Sequence, residues 1–237
     1  MRSYQRWPKY ISVADKKEMA EDNLKKLNKK SELSPIIIND KNIVNNWWGK
    51  AWCNHLKKYA DYDNRIARGK SYVKNNLILD LKITDGKIDA LVQGTRKKPY
   101  EVNINIKECS EEDIKVLQKK TLNNLASVDD LLNGKFPKEL GDEFLESSLF
   151  PNYNNIDFNC SCPDWANMCK HISGVLYGIG AKLDKSPELL FTLRGVNIEN
   201  MISKKLKENV NKIVVNKKST KRKIIDDKDI NELFNID

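Results

Sequence analysis

Residues 77–92 read Leu-Ile-Leu-Asp-Leu-Lys-Ile-Thr-Asp-Gly-Lys-Ile-Asp-Ala-Leu-Val. Apolar and polar side chains alternate with a period of two, the signature of a half-buried strand, because successive strand side chains point to opposite faces. Leu77, Leu79, Leu81 and Ile83 share one face, Asp85-Gly86 supplies a type I′ hairpin turn, and Ile88, Ala90 and Val92 continue the apolar face on the returning strand. After the break at Pro99, Val102, Ile104 and Ile106 repeat the pattern as a third strand. An antiparallel meander of this kind has one apolar and one polar face, and a helical layer has to cover the apolar one.

Two flanking segments are expected to supply that layer. Between Trp47 and Tyr59 the residues Trp48, Trp52, Leu56 and Tyr59 recur at helical spacing, and Ser110 to Asp113 opens a second helix with a capping box. Farther upstream, Val13 to Lys30 forms an amphipathic helix with Met19, Ala20, Leu24 and Leu27 on one side. Ser34-Pro35 ends it, and Ile36-Ile37-Ile38 reads as a short strand. Downstream, residues 111–150 are helical in pattern, acidic, and broken at Gly134, Pro137 and Gly141, which puts a domain boundary near 135–155.

Past that boundary comes Cys160-Ser161-Cys162, then six residues, then Cys169-Lys170-His171. Three of the five cysteines and one of the two histidines fall within a dozen positions. Thiolate and imidazole donors in two close pairs match the tetrahedral Cys₃His shell of a structural zinc ion. Spacing of i, i+2 keeps both side chains together on a strand or knuckle and separates them on a helix, so each pair belongs at the end of an element. Cys160 and Cys162 therefore lie on or beside a short strand and turn at Pro163-Asp164. Cys169 and His171 open a helix whose apolar stripe is Ile172, Val175, Leu176 and Ile179. Disulfides fit poorly, since the first residues carry no apolar signal-peptide core and five cysteines leave one over. A Cys169/His171 nucleophile and base would lack a third group to orient it. Cys53 and Cys109 read as small core or boundary residues, and His55 as a surface or packing residue.

Charge is uneven along the chain. The formal net charge is +9, yet residues 1–100 hold 22 Lys and Arg against 11 Asp and Glu, while residues 101–160 hold 6 against 12. A basic surface able to follow a phosphate backbone is one reading, and a solvated lysine-rich surface is the other. Arg65, Arg68, Lys70 and Lys74 surround Tyr72, giving phosphate contacts and a ring to stack on a base; Arg96, Lys97 and Lys98 in the next strand connection can join them. Solvation, or pairing with acids such as Asp61 and Asp63, is the alternative for this cluster. Gly69-Lys70-Ser71 is not the end of a nucleotide-binding loop, because Asn64 stands where the first glycine is required. Apolar runs are too short to span a membrane, so a cytoplasmic protein is expected. Residues 201–237 are basic and read as a partly disordered tail.

The Cys160–His171 pattern is the C-x-C-x(n)-C-x-H signature of the SWIM zinc finger, and the likeness runs beyond it. Tyr10-Ile11-Ser12-Val13-Ala14, Trp48-Gly49-Lys50-Ala51-Trp52-Cys53, Arg68-Gly69-Lys70-Ser71-Tyr72-Val73, Ala90-Leu91-Val92-Gln93-Gly94 and Leu193-Arg194-Gly195-Val196 resemble prokaryotic SWIM-finger proteins. That resemblance implies association with Swi/Snf-type helicases and a finger that binds DNA or protein. The expectation is an α+β protein: an N-terminal domain over 1–135 with a helix-covered β-meander, a zinc-bound strand-turn-helix and helical segment over 136–200, and the tail. Its expected work is non-enzymatic, binding DNA or RNA or accompanying a helicase. A protein adapter without nucleic acid is the alternative. A nuclease or transposase fragment is the third reading, for which Asp80 and Asp89 on the polar sheet face are the only carboxylate pair to consider.

Overall fold

The computed structural model describes residues 10–122 and 148–197. In chain order the helices are α1 (Val13–Leu27), α2 (Trp47–Lys57), α3 (Asp63–Lys74), α4 (Glu111–Leu122), α5 (Lys170–Leu183) and α6 (Leu189–Leu193). The strands are β1 (Ile78–Thr84), β2 (Lys87–Val92), β3 (Tyr100–Ile106) and β4 (Ile156–Cys160). They form one antiparallel sheet in the order β1-β2-β3-β4. The architecture is the α+β arrangement expected, with the meander extended by the strand that leads into the cysteines. The expected tail over 201–237 and the breaks at Gly134, Pro137 and Gly141 lie outside the described residues.

The hairpin forms as the alternation demands. Gly86 adopts φ +65°, the left-handed geometry of the turn, and Ile88 pairs with both Ile83 and Ile104. On β3 burial alternates strictly, with Val102, Ile104 and Ile106 inward and Glu101, Asn103 and Asn105 in solvent. The alternation fails at the start of β1, where the register shifts between Ile78 and Asp80. That irregularity changes the phase of the strand, so Ile78 pairs with Val92 and joins the core.

Ile36–Ile38 runs beside β1 without becoming a strand. Ile36 N–H donates to the Ile78 carbonyl at 3.1 Å and Leu81 N–H to the Ser34 carbonyl at 2.9 Å. Side chains take the remaining places: Ser34 N–H donates to Asp80 Oδ1 at 2.7 Å and Ile38 N–H to Asn76 Oδ1 at 2.9 Å. The segment thereby shields an edge that would otherwise offer unpaired backbone groups. It also accounts for Asp80, which is buried and occupied there. Asp89 in turn accepts from Asn103 Nδ2 at 2.6 Å.

The main cover of the sheet is α5, not α2 or α4. It is buried on nearly every side, with Gly174 against Ile78 and Gly178 against Leu81. Helices α2 and α3 pack on its outer surface. Trp52 donates its indole N–H to the Leu176 carbonyl at 2.9 Å, so the tryptophan helix does bury its face, but against α5. The described parts of the two expected domains consequently share one sheet and one core.

Small residues permit that layering. A Cβ on Gly69 of α3 would lie 2.6 Å from Ser173 Cβ and 2.8 Å from the Gly174 nitrogen, closer than real side-chain contacts approach. Gly69→Ala should therefore separate α3 from α5 and lower stability by about 1–3 kcal/mol. Urea denaturation reads the effect, and an unshifted midpoint would show that the two helices can part at little cost.

Candidate metal centre

The first pair of donors is presented by the end of β4. Val102 pairs with Cys160, and the pairing continues one residue farther: Ser161 N–H donates to the Glu101 carbonyl at 2.9 Å, and Glu101 N–H donates to Ser161 Oγ at 2.9 Å. Cys160-Ser161-Cys162 is thus fastened to β3. The second pair belongs to the start of α5, where Cys169 is the N-cap and His171 lies in the first turn. Both elements end where the i, i+2 spacing requires.

The ligand atoms of Cys160, Cys162, Cys169 and His171 all lie within 4.8 Å of one another. His171 Nδ1 is 3.8 Å from Cys160 Sγ and 3.9 Å from Cys169 Sγ. Tetrahedral zinc, with bonds of about 2.3 Å to sulfur and about 2.0 Å to nitrogen, has edges of roughly 3.5–3.8 Å. Thus the four residues can bind a metal ion with little movement. Electrostatics favour a cation as well. The Cys160 thiol's hydrogen bond, followed by contributions from His171 and the Ile172 N–H, pushes Cys169 down to about 4 despite burial. Cys160 is pushed up, because its thiol keeps the proton that hydrogen-bonds Cys169, with burial and the neighbouring negative charge adding to the effect. Three thiolates side by side need a positive ion.

His171 is 1% exposed and is held by rings. Tyr100 lies 4.5 Å away at an interplanar angle of 31°, and Tyr72 stands nearly perpendicular at 5.1 Å. Nε2 of His171 is buried without a hydrogen-bond partner among the described residues, so aromatic packing orients the imidazole where a carboxylate or carbonyl commonly does. Gly94 makes room for this arrangement: a Cβ there would stand 3.2 Å from Nε2.

The remaining cysteines stand apart from the cluster. Cys53 is buried between α2 and α5, where desolvation pushes its thiol up to about 12, and burial likewise raises Cys109. His55 packs against Tyr59 and Phe150 and contacts the Pro151 carbonyl through Nε2 at 2.9 Å. Desolvation lowers its pKa, partly offset by that contact.

The basic residues fall differently from their order in the chain. Residues 63–74 form helix α3, which divides the expected cluster. Tyr72 is only 6% exposed and packs against His171 of the candidate metal centre, so its expected stacking on a base is corrected: its ring is already covered. Arg65 bonds Asp164 of the cysteine loop at 3.0 Å, while Arg68 is exposed. Arg96 lies 5.4 Å from the Tyr100 ring, the Lys97 carbonyl accepts from Asn23 Nδ2, and Lys98 pairs with Glu101 at 2.8 Å on the surface.

Lys70 and Lys74 face the other way. With Lys41, and with Lys50 and Lys57 of α2, they line a groove of about 340 Å³ between α2 and α3. Tyr177 and Cys53 also line it, Lys70 Nζ stands 5.5 Å from the Tyr177 ring, and no carboxylate is among the lining residues. The linear sequence conceals this groove because its lysines come from three separate segments. Helical phase alone, i and i+7 for Lys50 and Lys57 and i and i+4 for Lys70 and Lys74, could have grouped each pair.

Comparison with known proteins finds a similarity over much of the chain. Over 164 residues, 68% of this chain, it is 30% identical to the uncharacterized protein Rv2102 of Mycobacterium tuberculosis (strain ATCC 25618 / H37Rv). The chain spans 59% of that relative's length. No family model and no solved structure matches. No helix among the described residues is long and apolar enough to cross a membrane.

Proposed function

We propose that this is a SWIM-type zinc protein that binds nucleic acid without catalysing a reaction. Cys160, Cys162, Cys169 and His171 would hold the ion. Four protein ligands leave no open coordination position, so the metal's contribution would be structural. The observation that carries nucleic-acid binding is the groove of five lysines with no carboxylate among its lining residues. A concave surface of one sign concentrates its field and draws a phosphate backbone. The SWIM resemblance adds a Swi/Snf-type helicase as a partner, to be sought by co-purification, and reduced thiolates suit the cytoplasm.

Fluorescence anisotropy of the zinc-loaded protein with single- and double-stranded DNA and RNA, over a salt series, tests this reading. Neutralisation of several phosphates should make log affinity fall steeply with log salt, by about 0.9 per duplex phosphate contacted and about 0.7 per single-strand phosphate. Absence of binding at low salt would remove the reading and favour a protein adapter.

A further inference from the structure

Trp165 lies in the loop between the second and third metal-ligand candidates, and its side chain is turned outward. It is 78% exposed, and its ring meets that of Tyr62, itself 43% exposed, edge to face at 5.6 Å and 82°. The exposure does not come from a loose loop. Asp164, just before it, is bonded to Arg65 at 3.0 Å; after it, Met168 N–H donates to Asp61 Oδ2 at 3.2 Å, and Ala166 and Met168 are buried. Fastened before and after, the backbone holds the indole toward solvent. Tyr62, immediately before α3, supports it from that helix.

We infer that Trp165, backed by Tyr62, is a stacking platform for an unpaired base, so that the nucleic acid bound is single-stranded. This inference rests on the nucleic-acid reading and names its substrate class. Every base presents a π-face to an aromatic ring, whereas the bases of a duplex are stacked on one another and unavailable. Charge complementarity favours nucleic acid over an apolar protein surface. Arg68 lies one turn beyond Arg65 on α3, exposed and without an acidic partner among the described residues, where it can take a flanking phosphate. Of the acids nearest the rings, Asp61 and Asp164 are engaged as described, and Asp63 sits in the first turn of α3, where the helix dipole offsets its charge.

The experiment measures anisotropy of labelled homopolymer DNA and RNA oligonucleotides, and of a duplex of equal length, with wild type, Trp165→Ala and Trp165→Phe. Zinc content and melting are recorded for each protein. Trp165→Ala should weaken single-strand binding by roughly five- to a hundredfold, the range for loss of one base stack, with little change for the duplex. Trp165→Phe should restore most of the affinity. If wild type binds single strands and Trp165→Ala binds them equally well, the platform is refuted while nucleic-acid binding stands. Equal losses on single strand and duplex, with zinc and melting intact, would refute it too, because a platform for unpaired bases must discriminate. A wild type that binds neither would overturn both readings and leave the exposed pair to a protein partner.

Discussion

Cys169→Ser should abolish stoichiometric zinc binding and destabilise the whole described core, not a detachable finger. Cys169 caps α5, the helix against which the sheet, α2 and α3 are all assembled, and Cys160 ends a strand paired with β3. The metal would therefore join the sheet to the start of its covering helix. Structural zinc in finger peptides supplies about 10–16 kcal/mol of apparent binding energy at neutral pH, a magnitude comparable to the roughly 5–15 kcal/mol that stabilises an entire domain. Even a fraction of that loss should bring the melting transition down by tens of degrees, and chelation of the wild type should reproduce it. Elemental analysis with thermal melting reads both effects. Cys53→Ser and Cys109→Ser serve as comparisons, since neither thiol belongs to the cluster and zinc content should stay unchanged. Full zinc occupancy and unaltered melting in Cys169→Ser would reject the assignment.

The same position of α5 explains what the sequence disclosed and what it did not. The meander was legible because strand alternation is local, and the candidate metal ligands because their spacing is compact and chemically unusual. The identity of the covering helix was hidden: Ile172, Val175, Leu176 and Ile179 mark one apolar face, but burial of the other faces depends on Gly174, Gly178 and Gly180, which register as gaps in a hydrophobic pattern. Helix α3 was concealed by its own charge, since Arg65, Arg68, Lys70 and Lys74 leave little apolar periodicity, and its packing depends on Gly69. Trp165 escaped for the opposite reason. Tryptophan is ordinarily read as core, and only the fastening of its neighbours shows that this one faces outward.

Reversing charge in the α2–α3 groove should weaken nucleic-acid binding on the order of tenfold to a hundredfold while leaving zinc and fold intact. Lys50→Glu with Lys70→Glu places one reversal on each wall of the groove, exchanging attraction for repulsion at two phosphate positions. Lysines at exposed or half-buried positions without an acidic partner make few contacts whose loss would unfold the protein. Lys87→Glu is the control for net charge, because Lys87 is exposed on β2, beyond the sheet from α2 and α3. If long-range charge alone governs binding, Lys87→Glu should weaken it about as much per charge as either groove substitution. If the groove holds the backbone, Lys50→Ala and Lys70→Ala should each reduce the magnitude of the salt slope by about one contact's share, whereas Lys87→Ala should leave it unchanged. Phosphate contacts position a chain without reading its bases, so these losses should be similar on single strands and duplexes. The Trp165 substitution is expected to separate those two substrates. Its strand selectivity beside an unselective groove variant would divide recognition between base stacking at the cysteine loop and charge between α2 and α3.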